Sequence, residues 1–331
     1  MGLQFERALA IVRQTLPYVL YRMLAYGLLC LCVVVYLLLL AVIGVVFGAG
    51  AFWVLLVVSA VLVVAGGVGS FLSEHLFYQH RAGHVALITE IIAEGQLPIG
   101  ISQMKWARGR VLHYFHGAGL LPEVRRLLHE ILRAVHGSLV DVGPALPVTG
   151  VEGKSKLTQQ VVGLSQGYVE EAGIAYVFRT RDENVFEAAR TAVLLYGQCW
   201  KNVLAHAVTL TLLSYGFVLV AAVIFLVPLG VLAWIMPGEW IVMRFTVFAV
   251  GVFMGFCAKW ALFDPVASAA TILTFFGESD ISTPDPEWER KLEAAVPAYA
   301  ELAAEAAEKA NESHLQREPR RPRPRRTPKQ E

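Results

Sequence analysis

Met23 to Ser73, MLAYGLLCLCVVVYLLLLAVIGVVFGAGAFWVLLVVSAVLVVAGGVGSFLS, lies between Arg22 and Glu74 and contains no Asp, Glu, Lys, Arg or His. A helix needs about 20 apolar residues to cross a hydrocarbon layer about 30 Å thick, so a run of this length holds two crossings and a short turn. Gly48-Ala49-Gly50-Ala51 is the one flexible point near its middle. The run is predicted to be a transmembrane hairpin with helices over residues 23–47 and 52–73.

The totals agree with a membrane class. Of 331 residues, 56% are hydrophobic and 17% charged, against about 45–50% and about 25% in an ordinary soluble domain. The net charge of +1 hides an uneven distribution. Cys30, Cys32, Cys199 and Cys257 have neither zinc nor CxxC spacing and read as buried thiols without disulfides. The first apolar run is too long for a secretory leader, and Glu6 stands where a myristoylation signal needs Ser or Thr.

Outward from the hairpin, residues 1–22 form an amphipathic segment, with Leu3, Leu9, Ile11, Val12 and Leu16 set among Gln4, Glu6, Arg7 and Arg13. This pattern predicts a surface helix ended or bent by Pro17. Residues 75–203 form a polar insert. Its lysines and arginines, with those of the amino terminus, place it on the cytoplasmic side. Leu121, Val124, Leu127, Leu128, Ile131, Leu132 and Val135 make one apolar helical face, and Leu157, Val161, Leu164 and Tyr168 a second. Asp182 or Asn184 is placed to cap the helix that follows.

A second weakly charged stretch, Asn202 to Gly238, is interrupted only by His206. Pro228 and Gly230 predict a bend, giving a third span over 204–227. Trp234 and Trp240 bracket the outer turn. The fourth span runs from about Ile241 to Phe263 between Arg244 and Lys259, whose long stems can reach opposite headgroup layers. Asp264-Pro265 reads as a cap and first-turn proline opening a new helix. Residues 287–312 read as a water-exposed helix, and 313–331 as a disordered basic tail.

The expected fold is an all-α integral membrane protein, four transmembrane helices as two hairpins (23–74 and 204–263) with a helical cytoplasmic domain (75–203) between them and cytoplasmic helices over 264–312. Its expected location is the cell membrane, as for a bacterial inner-membrane protein, with both termini cytoplasmic.

Sites are sparse. His80 and His84 are four apart, as a metal pair would be, but zinc needs three or four ligands, and nothing beyond His75 and Glu74 is near. His206, Arg244, Lys259 and Asp264 are the ionisable groups in or beside the spans, and such groups either line a path or serve as headgroup anchors and caps. Gly44 with Gly48, Gly66 with Ser70, and Gly251 with Gly255 suit close helix packing, within the chain or in a homo-oligomer. Arg320, Arg321, Arg323, Arg325 and Arg326 in the tail suit anionic inner-leaflet lipids, and without interleaved aromatics they are poorly suited to nucleic acid.

No phosphate-binding loop, nucleophile elbow, HExxH or kinase motif is present, and Gly66-Gly67-Val68-Gly69-Ser70 lies within an apolar span. No catalytic residue, cofactor or metal is therefore assigned. The leading expectation is a non-enzymatic scaffold or subunit of a membrane assembly, with its helical domain open to a protein partner. An oligomeric channel or transporter is the second reading, and a membrane enzyme acting on lipids the third.

Overall fold

The computed structural model describes residues 4–65, 78–98, 100–115, 119–147, 155–237 and 240–317. Glu74, His75, the Gly66/Ser70 pair and the basic tail from 318 onward lie outside the described residues. The described chain is all-helical. In order, α1 is Phe5–Gln14, α2 Leu16–Phe47, α3 Ala49–Ala65, α4 Tyr78–Glu94, α5 Gln103–Tyr114 and α6 Leu120–Ala134. They are followed by α7 Lys156–Thr180, α8 Val185–Ile235, α9 Ile241–Ala258, α10 Asp264–Ser279, α11 Pro286–Ala295 and α12 Pro297–Arg317.

Among the described residues, three helical stretches are long and apolar enough to cross a membrane: Leu16–Phe47, Val185–Ile235 and Ile241–Ser279. The turn after α2 is tighter than the sequence suggests. Gly48 alone reverses the chain, at φ +93°, a conformation open to glycine because it has no Cβ. α3 then runs back along α2: Phe52 packs on Gly44, and the Tyr36 hydroxyl donates to Ser59.

Side by side, α9 packs against α8 on one flank and α2 on the other, with α3 at the far edge of the row. Glycines set the spacing. A Cβ on Gly255 would meet the Val218 carbonyl at 3.0 Å and Ala222 at 3.1 Å, and one on Gly251 would overlap Leu226. The small-residue stripes of α2 and α9 thus serve contacts within the chain. Large apolar side chains remain bare along the row, Leu24, Phe47, Leu219, Val227 and Trp234 among them, as expected of surfaces solvated by lipid.

At one end of the row sits a helical body with one large apolar core and smaller clusters beside it. Three regions that the sequence separates contribute to it. Ala8, Ile11 and Val12 of α1 are buried in this core instead of lying on the membrane surface. The predicted α6 face is buried throughout. α10, the helix that Asp264-Pro265 opens, is buried on nearly all sides. Residues 286–317 are two helices broken at Val296, which is extended because Pro297 follows it. They are not purely water-exposed, since Leu292, Tyr299 and Leu302 are buried.

Two helices tie this body to the row. α8 is continuous over 51 residues, about 76 Å at 1.5 Å per residue. It begins at Asn184, whose side chain accepts from the Glu187 N–H at 3.2 Å, and passes through Pro228 without ending there. α9 leads through a π turn, Lys259–Phe263, directly into α10.

Candidate functional site at the junction of the spans and the helical body

The π turn organises the site, and a proline accounts for it. The Asp264 N–H bonds back to the Lys259 carbonyl, five residues earlier. The Trp260 carbonyl would next require the N–H of residue 265, and Pro265 has none. Arg22 supplies the missing donor: its guanidinium, buried at 4% exposure, donates to the Trp260 carbonyl at 2.8 Å. A buried carbonyl without a partner is costly, so the last charge before the uncharged run holds the widened turn together.

Arg22 also fixes His84. Its second nitrogen lies 3.2 Å from His84 Nδ1, while His84 Nε2 lies 2.9 Å from the Thr15 hydroxyl. That hydroxyl already donates to the Val12 carbonyl at 3.0 Å, so Nε2 carries the proton and Nδ1 accepts from Arg22. Burial and the adjacent guanidinium hold the His84 pKa well below its ordinary value. Both ring nitrogens are occupied beside a fixed positive charge, which removes the metal reading of the His80/His84 pair. His80 points to Tyr21 instead, at 3.5 Å, and no metal-binding cluster occurs among the described residues.

Beside Arg22, the π turn brings Lys259 and Asp264 together. Lys259 Nζ donates to Asp264 Oδ1 at 2.8 Å, and the Tyr168 hydroxyl donates to the same oxygen at 2.7 Å. Asp264 has helical backbone angles, φ −57° and ψ −39°, and is only 6% exposed. It does not cap a helix, nor does Lys259 reach for headgroups: an aspartate buried next to this lysine is more stable paired than free. The other two suspected residues stand apart from this pair. Arg244 donates to the Met236 carbonyl at the end of α8, and His206 is buried on α8 with Nε2 unpartnered.

The pair opens onto a cleft of about 560 Å³ between α2, α4, α6, α7, α8 and the π turn. Arg81 of α4 is paired with Glu171, which also accepts from Ser268. On α6, Arg125 stacks over Tyr78 at 4.2 Å and lies 3.5 Å from Glu170, whose other oxygen is 2.6 Å from His129. The Glu170 hydrogen bond raises the His129 pKa. Arg81, Arg125 and Lys259 stand against three carboxylates (Glu170, Glu171 and Asp264), with His129 beside Glu170. Tyr26, Tyr215 and Trp260 line the side nearer the row.

The α7 wall is open because of two glycines. A Cβ on Gly163 would meet nothing within 4 Å, and one on Gly167 would approach only Arg81, at 3.9 Å. The expected α7 face is only partly correct, since Tyr168 is buried while Leu157 and Leu164 are exposed. Leu164 instead forms an apolar rim of the cleft.

Arg22, Arg81, Arg125, Tyr168, Glu170 and Glu171 are site residues that sequence reasoning missed. They come from four helices, and only one local signal marks them: Glu170-Glu171 are adjacent and the only acids in α7. Set against known protein families, curated proteins and solved structures, the chain shows no significant match. Fold and site together define the class, an all-helical protein with helices suited to crossing a membrane and a charged cleft where they meet its helical body.

Proposed function

We propose that the chain is a non-enzymatic membrane scaffold, whose four spans carry the helical body on the cytoplasmic face, and that the junction cleft holds the phosphate-bearing headgroup of a lipid. α3 counts as the fourth span: its 17 residues, about 25 Å of helix, nearly match the hydrocarbon thickness and run antiparallel to α2.

The observation that carries the headgroup reading is the charge of the cleft. The convergence of Arg81, Arg125, Lys259 and His129 beside an aromatic rim suits a phosphate whose chains lie along the apolar row. The scaffold reading is supported by the two continuous helices that join body to spans. A channel gains little support from the hydroxyls of the spans. Thr209, Thr211, Ser214 and Thr246 each donate to a carbonyl of their own helix, and of these four only Thr211 and Ser214 line the cleft.

The test is lipid retained by the purified protein, measured by native mass spectrometry. Gly163→Phe projects into the cleft from a position where a Cβ meets nothing within 4 Å, and should reduce retained phospholipid at least about fivefold with an unchanged melting temperature. Equal retention in G163F and wild type would overturn the headgroup reading. Ion flux through reconstituted liposomes would overturn the scaffold reading.

A further inference from the structure

The exposed side of α5 is a second surface that the junction cleft does not use. Ile101, Met104, Lys105, Arg108 and Leu112 are all exposed. Lys105, Arg108 and Leu112 follow Met104 by one, four and eight residues, which places these four on one helical stripe, and Ile101 lies just before the helix. The opposite side holds α5 to the protein through buried Ala107 and Tyr114, while Arg110 pairs with Glu90 at 3.6 Å.

Two contacts fix the height of this stripe relative to the row. Gln103 donates to the Gln14 carbonyl at 2.9 Å, tying the start of α5 to the end of α1, where α2 begins. Gly83 of α4 is the crossing point: a Cβ there would overlap the Tyr18 hydroxyl and press on Ala107 at 3.4 Å. α5 therefore lies beside the first turns of α2, level with the bare side chains of Leu16 and Leu20, where the apolar span begins.

Between α5 and the base of α2 runs a groove lined by Tyr18, Tyr21, Met104, Lys105, Arg108 and Leu112 together with parts of α4. Among the described residues no carboxylate lines it. Among the described residues neither Lys105 nor Arg108 is paired with an acid, unlike the cations of the junction cleft. A tyrosine-walled groove with two free cations and an apolar floor, set where a span enters lipid, is complementary to an anionic headgroup with its chains alongside α2.

We propose that the groove between α5 and the base of α2 binds an anionic phospholipid of the leaflet on the helical-body side, with Lys105 and Arg108 on its phosphate. The site is independent of the junction cleft, and one can fail without the other. Basic residues close to a charged leaflet attract it by about 1 kcal/mol each, or about fivefold in affinity per residue.

The test uses the full chain in nanodiscs. A fluorophore is placed at Ile101→Cys after the native cysteines are replaced, and is quenched by lipids brominated on their chains. At equal mole fraction, brominated phosphatidylglycerol should quench more than brominated phosphatidylcholine. That preference should fall about fivefold in each of K105Q and R108Q and vanish in high salt. Both substitutions are on exposed side chains, and an unchanged melting temperature shows the fold intact. Equal quenching by the two lipids, or a preference unaffected by K105Q and R108Q, would overturn the proposal.

Discussion

Asp264 and Lys259 show how tertiary context overrides a local signal. An Asp-Pro pair after an apolar stretch reads as a helix start, but Asp264 lies inside a helix that continues from α9 because Arg22 compensates for Pro265. Breaking a buried ion pair from one side leaves the other charge without a partner, at a cost of about 3–5 kcal/mol. Lys259→Met and Asp264→Asn should each lower stability on that scale, and the double variant should lose less than the sum, as read by thermal unfolding in detergent. Arg22→Leu strips donors from the Trp260 carbonyl and from His84, and should cost about 2–4 kcal/mol in the same assay.

The histidines give opposite pH signatures. Burial lowers the His136 pKa to about 4, so between pH 6.5 and 4 the unfolded chain binds more protons there, and stability falls as pH drops through that window. The loss amounts to roughly 3 kcal/mol and should disappear in His136→Gln. His129 behaves the other way. Its pKa is raised by Glu170, so the stability from this pair is complete below pH 6.5 and is lost as pH rises through the raised pKa. Headgroup retention in the cleft should weaken over the same rise, and His129→Gln should flatten that dependence.

Among the elements, those governed by one strong periodic signal were legible. The apolar character of α2 and α3 follows from the missing charges, and the α6 face from its regular spacing. α8 continues through Pro228, so the third span read over 204–227 is part of a longer helix. The apolar pattern Leu157, Val161, Leu164 and Tyr168 on α7 was read as one face, because sequence does not separate a side turned to the core from one turned to lipid or to a cleft. The glycine stripes gave close packing, but whether within the chain or between chains emerged only from the Gly255 approach to Val218. Gly255→Leu has no space in that crossing. It should destabilise the α8–α9 pair by about 1–3 kcal/mol or more, visible as a lower melting temperature and faster proteolysis of the row.

For the whole molecule, the largest departure from the sequence reading is the unity of the body. Segments called an amphipathic end, an insert and trailing helices share one core, because residues far apart in the chain, such as Ala8, Leu127, Ala270 and Tyr299, pack into it. No local pattern reports such long-range pairing. The arrangement of the row is open to a direct check. The thiols of Cys30 on α2 and Cys257 on α9 lie within hydrogen-bonding reach, so mild oxidation should join them within one chain, giving a faster-migrating monomer on a non-reducing gel that C30S or C257S abolishes.

The central claim is that the apolar row crosses a bilayer with the helical body on one side and the Gly48 turn on the other. Its most direct test is labelling of intact cells with a membrane-impermeant maleimide, using Gly50→Cys or Ile281→Cys as the only cysteine in each variant. The account predicts reaction at residue 50 in intact cells and at residue 281 only after the membrane is opened. Labelling of both positions from the same side would contradict it.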